Sequence, residues 1–235
     1  MDLLAIGYLS LTLFTLVFLL KIGKLAIVNS SSNHTNKFAF LLIGLISWQV
    51  FIYLVSKSGF TANLDFPPRF ALMFILPSFI FTGVFLLKNR NSKWIMEIPA
   101  SWIVYFQSFR ILVESLFILS VTKGILHEEV TLNGYNYDMI FAMTAPIVAY
   151  LVFSKKLFSL KTLMFWNYAG LAVIASIIFL FLSTIYKPEW YGSDTAMLPM
   201  EALKYPYVLI AGFLMPVAVF LHVLSILQIR RFLNR

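Results

Sequence analysis

The chain has 235 residues, of which 60% are hydrophobic and 12% charged, with a formal net charge of +8 and no cysteine. Soluble globular chains are about 45–50% apolar and about 25% charged, so this excess of apolar residues exceeds what a buried core absorbs and calls for lipid as the solvent. The lack of cysteine excludes disulfides, thiolate metal sites, iron–sulfur clusters and thiol nucleophiles.

In chain order, seven apolar runs predict transmembrane helices over 3–20, 38–56, 69–87, 99–121, 138–154, 163–185 and 205–227. They are read as helices and not strands, because lipid offers no partner to unpaired backbone groups. The expected fold is all-α: one integral membrane domain, a seven-helix transmembrane bundle. The first run follows Asp2 and precedes Lys21 and Lys24, the reverse of a signal peptide's charge pattern, so it is read as a retained helix. Pro67, Pro68, Pro99 and Pro206 fall at expected helix starts, where a missing amide costs nothing. Pro77, Pro146 and Pro216 fall inside the third, fifth and seventh helices. Each should kink its helix and free a carbonyl.

Orientation follows from the basic residues. Twelve lie on one side: Lys21, Lys24, Lys37, Lys88, Arg90, Lys93, Lys155, Lys156, Lys161, Arg230, Arg231 and Arg235. The other side has five: Lys57, Arg69, Lys123, Lys187 and Lys204. The side with twelve is expected to be cytosolic, which puts the amino terminus outside and the carboxyl terminus in the cytosol. The positive charge is thereby read as a topology signal, not as a nucleic-acid surface. Trp94 and Trp166 are expected at the inner interface and Trp190 at the outer one.

Polar residues within a span are costly, so each needs a reason. Helix 4 carries Gln107, Arg110 and Glu114, spaced to share one face. Arg110 and Glu114 stand four residues apart and are expected to pair. Helix 6 opens with Trp166 and Asn167, and helix 7 carries His222, Ser225 and Gln228. At 1.5 Å per residue, Gln107, Asn167 and His222 fall at one level, roughly 6–12 Å in from the cytosolic helix ends, with Arg110 and Glu114 further outward. Asp138, beside Asn136, marks the outer mouth of helix 5. His222 is expected neutral, donating from one ring nitrogen and accepting at the other. No metal site is expected, since His34 and His127 fall on opposite sides of the membrane. No haem, retinal or other cofactor is implied: bis-His ligation fails for the same reason, and no span interior holds a lysine. Hydrolase, zinc-protease and phosphate-loop motifs are absent.

The segments IPASWIVYFQSFRILVE (98–114), GYNYDMIFAMTAP (134–146), WNYAGL (166–171) and YPYVLIAGFLMPVAVFLHVLSILQIRR (205–231) together resemble a family of uncharacterised bacterial multi-pass membrane proteins. The matching positions are Gln107, Arg110, Asp138, Pro146, Asn167, His222, Ser225 and Gln228, spread over a little more than half of the chain. The resemblance implies a bacterial inner-membrane location and brings no activity. Glu114 is not among the matching positions.

Three functions fit these features. The first is a small transporter or channel for a small molecule or ion, with Arg110 as an anion or carboxylate clamp and Glu114 and His222 as proton-coupling groups. The second is an intramembrane enzyme acting on a lipid or isoprenoid. The third is a structural or sensory subunit whose polar pairs only fix helix packing. Candidate binding or proton-relay residues are Gln107, Arg110, Glu114, Asp138, Asn167, His222 and Ser225.

Overall fold

The apolar runs fold as helices, and among the described residues of this computed structural model, 2–30 and 33–234, there is no strand. Arg235, counted above with the basic tail, lies outside them. Helix α1 is Leu3–Ser30 and α2 is His34–Lys57. A π-helical turn, Ala71–Ile75, leads into α3, Leu76–Asn89. The short α4, Trp94–Glu97, precedes α5, Ala100–Phe106, and α6, Phe109–Thr122. Helix α7, Asp138–Ala149, runs into a π-turn, Tyr150–Ser154. Helix α8 is Leu160–Tyr186, and a π-turn, Ile210–Leu214, opens α9, Met215–Leu233.

Six of these runs are long and apolar enough to cross a membrane: Leu3–Ser30, His34–Lys57, Ala71–Lys88, Ala100–Thr122, Leu160–Tyr186 and Ile210–Leu233. Asp138–Ser154 is apolar but shorter. At 1.5 Å per residue it extends about 25 Å, slightly less than a hydrocarbon core of about 30 Å. The chain is therefore a multi-pass, all-helical protein of membrane type.

Helix ends depart from the hydropathy limits where chain chemistry, not lipid, sets them. Helix α1 continues through Lys21 and Lys24 to Ser30, because no proline interrupts it and a helix does not need lipid to continue. Its last turn is held by the Ser30 hydroxyl donating to the Ala26 carbonyl at 2.5 Å. The last helix starts later than expected. Residues 205–208 form a turn closed by three-residue bonds, Leu209 N to Pro206 O and Ile210 N to Tyr207 O.

Helix 4 is broken, not continuous. At the junction of α5 and α6, Gln107 N bonds Val104 O, Ser108 N bonds Tyr105 O and Arg110 N bonds Gln107 O. These i→i+3 bonds tighten the helix locally. Across this tightened stretch Gln107, Arg110 and Glu114 all stay buried in the bundle.

The three internal prolines each lie within a turn or so of a π-turn. Pro216 cannot donate to the Gly212 carbonyl four residues back. The Trp48 indole donates to that carbonyl at 2.9 Å and so ties α2 to the π-turn that opens α9. Helix α9 is the axis of the bundle, packing against α3, α4, α5 and α8. Its most apolar window is 67% buried against 6% for α2, which makes α2 the lipid-facing edge. Helix α1 is not peripheral. It packs on α4 and α6 as well as α2, and buried Tyr8 bonds Ser120 at 2.7 Å.

Candidate functional site

Among the buried polar side chains from α5 to α9, eight lie close together, each 5% exposed or less: Gln107, Arg110, Glu114, Asn136, Asp138, Asn167, His222 and Ser225. Six of them, together with Asn136, matter through how they connect. Asp138 opens α7, where the positive end of the helix dipole favours a carboxylate. Arg110 donates to it through two nitrogens, Nε to Oδ2 at 2.9 Å and Nη2 to Oδ1. This is the bidentate fork that Arg and carboxylate geometry favour. The third guanidinium nitrogen, Nη1, lies 3.1 Å from His222 Nε2.

That contact fixes the histidine. Guanidinium nitrogens only donate, so Nε2 must accept. The other ring nitrogen, Nδ1, lies 2.9 Å from Asn167 Oδ1 and must donate to it. Asn167 Nδ2 in turn donates to Ser225 Oγ at 3.0 Å and to the Leu163 carbonyl at 2.8 Å. His222 is thus held at both nitrogens in its neutral Nδ1–H form. Phe141 and Trp166 wall it in: they stack on each other at 5.0 Å, and Trp166 lies 5.3 Å from the imidazole. The Arg110 guanidinium sits 5.4 Å above the Phe141 ring. Gly170 is required here, since a Cβ on it would lie 2.4 Å from His222 Cε1 and Nε2.

Asn136 links the other end. Its Oδ1 accepts from the Asp138 amide at 3.0 Å, an Asx turn that starts α7. Its Nδ2 donates to Glu114 Oε1 at 2.7 Å and to the Val130 carbonyl at 3.1 Å. The polar groups therefore form one chain from Ser225 through Asn167, His222, Arg110, Asp138 and Asn136 to Glu114. Glu114 Oε2, at its end, is buried without a partner.

Several expectations are corrected by this arrangement. Arg110 pairs with Asp138 across two helices, not with Glu114 along its own. The fork of Asp138 satisfies two guanidinium nitrogens at once, and Glu114 finds Asn136 instead. Arg110 stands at the level of His222, because helical side chains lean toward the N-terminus of their helix and arginine is long. Gln107 is near this cluster but does not join it: Nε2 donates to the Ala218 carbonyl at 3.1 Å, one turn before His222, and Oε1 has no partner. Trp166 is no interface anchor. It is 8% exposed, and its indole donates to Thr144 Oγ1 at 2.8 Å inside the bundle. Gln228 also lies outside the cluster and bridges the Ile95 and Ile98 carbonyls at 2.6 and 2.8 Å, tying α9 to the end of α4.

Asn136 was not singled out as a site residue by sequence. The signal was present in Asn-Tyr-Asp immediately before a helical run, the pattern of an Asx turn feeding a helix start.

A cavity of about 150 Å³ lies against the charged end of the chain. Arg110, Glu114 and Asp138 line it on one side. Its other walls are almost wholly apolar and come from the start of the third run, from α8, and from the π-turn and first residues of the last run. Its lining residues Ala71, Ile75, Ile178 and Leu182 are half-buried. No protein-family model matches the chain, and no curated protein and no solved structure matches it.

Proposed function

We propose that this chain is a small transporter of a bacterial inner membrane, with seven spans, its amino terminus outside, and the cavity beside Glu114 as its substrate site. The observation that carries the reading is the buried carboxylate oxygen of Glu114 without a partner, in a side chain lining a largely apolar cavity. An isolated ionised carboxylate in a low-dielectric interior is costly, so a proton or a cationic group must accompany it. Exchange of one for the other couples occupancy to protons. The seven-span count is supported by the apolar Asp138–Ser154, which nearly matches the bilayer core, and the orientation by the excess of basic residues at one end. The order of the motifs around Gln107, Arg110, Asp138, Asn167 and His222 supports a place among the uncharacterised bacterial multi-pass proteins that the sequence resembles.

Arg110 is not the clamp in this reading. All three of its nitrogens are engaged, and with Asp138 and His222 it forms the fixed wall against which Glu114 works. His222 does not relay protons either, since protonating Nε2 would set two donors against each other at 3.1 Å. The π-turns beside Pro77 and Pro216 border the cavity and supply places where the helices can flex.

Single cysteines in this cysteine-free chain test the proposal. Ala202, Ala211 and Ala218 all line the cavity, and each takes a cysteine with little added volume. A transporter exposes such positions alternately, so an impermeant thiol reagent should label them from outside in right-side-out vesicles and from inside in inverted ones. Labelling from a single face would make the cavity a static pocket. Labelling from neither face would favour a purely structural bundle, the reading supported by the full pairing of Arg110.

A further inference from the structure

We propose that the cavity takes a small organic ammonium: an apolar body of about one ring with a protonated amine that binds the Glu114 carboxylate. This names the substrate class and rests on the cavity being the substrate site.

Size sets the body. A buried apolar cavity near 150 Å³ is large enough for a benzene-sized molecule, and this one measures about 150 Å³. Its walls include Phe109, Phe117 and Phe181, whose faces accept both an apolar ring and a cation. Charge sets the head. The ionisable groups on the cavity wall apart from two tyrosines are Arg110, Asp138 and Glu114. Arg110 and Asp138 cancel through their bidentate contact. Glu114 is left with a neutral amide as its partner at Oε1 and with none at Oε2. The fixed charge beside the cavity is therefore one negative unit whenever Glu114 is ionised. An anionic ligand would meet repulsion there, and a neutral alcohol would supply one hydrogen bond without the charge. An ammonium supplies both, and charge-assisted hydrogen bonds are the stronger class. Glu114 Oε2 is itself covered, so the entering head group displaces the atoms over it and takes the place of the proton that otherwise accompanies the carboxylate.

Three probes that share a ring and differ in charge decide the matter: benzylammonium, benzyl alcohol and benzoate. Each is added to the purified protein in detergent, with calorimetry in buffers of different ionisation enthalpy. The expected order is benzylammonium over benzyl alcohol, with no benzoate binding, and about one proton released per benzylammonium bound. Glu114→Gln should weaken benzylammonium by about ten-fold or more, abolish the proton release and leave benzyl alcohol nearly unchanged. Ala211→Leu, which keeps Glu114 and fills space at the wall, should weaken benzylammonium and benzyl alcohol alike; it keeps the test decisive if the Glu114 variant does not fold. Benzoate binding as well as benzylammonium, no benzylammonium binding, or unchanged benzylammonium binding by either variant would overturn the assignment. Failure here with two-sided cysteine labelling would remove the substrate class and leave transport standing. Binding as expected with one-sided labelling would keep the class and remove transport.

Discussion

Gly170→Ala tests the polar chain at its tightest point. Gly170 faces His222 across the α8–α9 contact. An added Cβ would lie 2.4 Å from His222 Cε1 and Nε2 and 2.9 Å from Phe141 Cε1. Ordinary contact begins near 3.4 Å, so the imidazole must withdraw by about 1 Å. It has no slack, since Nε2 accepts from Arg110 at 3.1 Å and Nδ1 donates to Asn167 at 2.9 Å. A shift of that size breaks at least one of the two bonds. Overpacking costs about 1–3 kcal/mol, and a lost hydrogen bond to a charged group about 1.5–3 kcal/mol. The variant should lose roughly 3–5 kcal/mol of stability, read by reversible unfolding in mixed micelles. Gly83→Ala is the control. A Cβ there meets nothing within 4 Å, and replacing a mid-helix glycine should be neutral or gain about 0.5–1 kcal/mol. If Gly170→Ala unfolds within about 1 kcal/mol of the parent, His222 is not held as described and the chain is not continuous through it.

Four further outcomes follow from the same contacts. Removing Arg110 or Asp138 alone should each cost about 3–5 kcal/mol, because a lone charge stays buried, whereas removing both should cost less than the sum; strict additivity in an Arg110→Met, Asp138→Leu cycle would mean that they do not pair. Nitrogen-15 spectra of His222 should show the proton on Nδ1, and His222→Gln, which keeps one donor and one acceptor, should be better folded than His222→Leu; a proton on Nε2 would contradict the Arg110 contact. Trp48→Phe should cost about 0.5–1.5 kcal/mol by orphaning the Gly212 carbonyl, and less in a Pro216→Ala background, where a backbone N–H becomes available to it; equal costs in the two backgrounds would refute the link. At the amino-terminal edge, Lys123 donates to Asp2 at 2.5 Å and holds its carboxyl below the ordinary value of 3.8. A depressed carboxyl adds its contribution above its unfolded value and loses it as pH falls through the lower folded one, so acid below about pH 3.8 should lower the hydrogen-exchange protection factors at the start of α1 in the parent and not in Lys123→Met.

How much was legible depends on the range of the interaction. The helical runs were readable because bilayer thickness imposes a length on an apolar run, and that constraint is local in sequence. Their ends were less so: lipid does not decide where α1 stops or where the last helix starts after Tyr205 and Pro206. The cost of burying Arg110, Glu114, Asn167 and His222 was equally legible, since a polar residue in a span is expensive wherever its partner is. The identity of the partner was not. The i,i+4 spacing of Arg110 and Glu114 made an intrahelical pair the natural expectation, and only the juxtaposition of α6 with the first turn of α7 offers Asp138 as a fork. The break at Gln107 was hidden too, because IVYFQSF contains no glycine or proline to announce it.

The choice of partner changes what each group can do. Had Arg110 paired with Glu114, the carboxylate left over would be Asp138, at the start of α7 where the helix dipole favours its charge. Because Asp138 takes Arg110, the cluster divides into a saturated part and an unsaturated one. From Ser225 to Asp138 the donors and acceptors that join the chain are matched, and such a network favours one arrangement of α6, α7, α8 and α9 over its alternatives. Glu114 is joined to it only through an amide on one oxygen. A carboxylate oxygen without a partner gives no stability that a neutral glutamine could not give, and its ionised form is costly at that depth. Glu114 nevertheless stands beside a cavity walled mainly by apolar side chains. Packing explains the matched part of the chain. It does not explain the unmatched carboxylate, and for that reason the proposed function rests on Glu114 and not on Arg110.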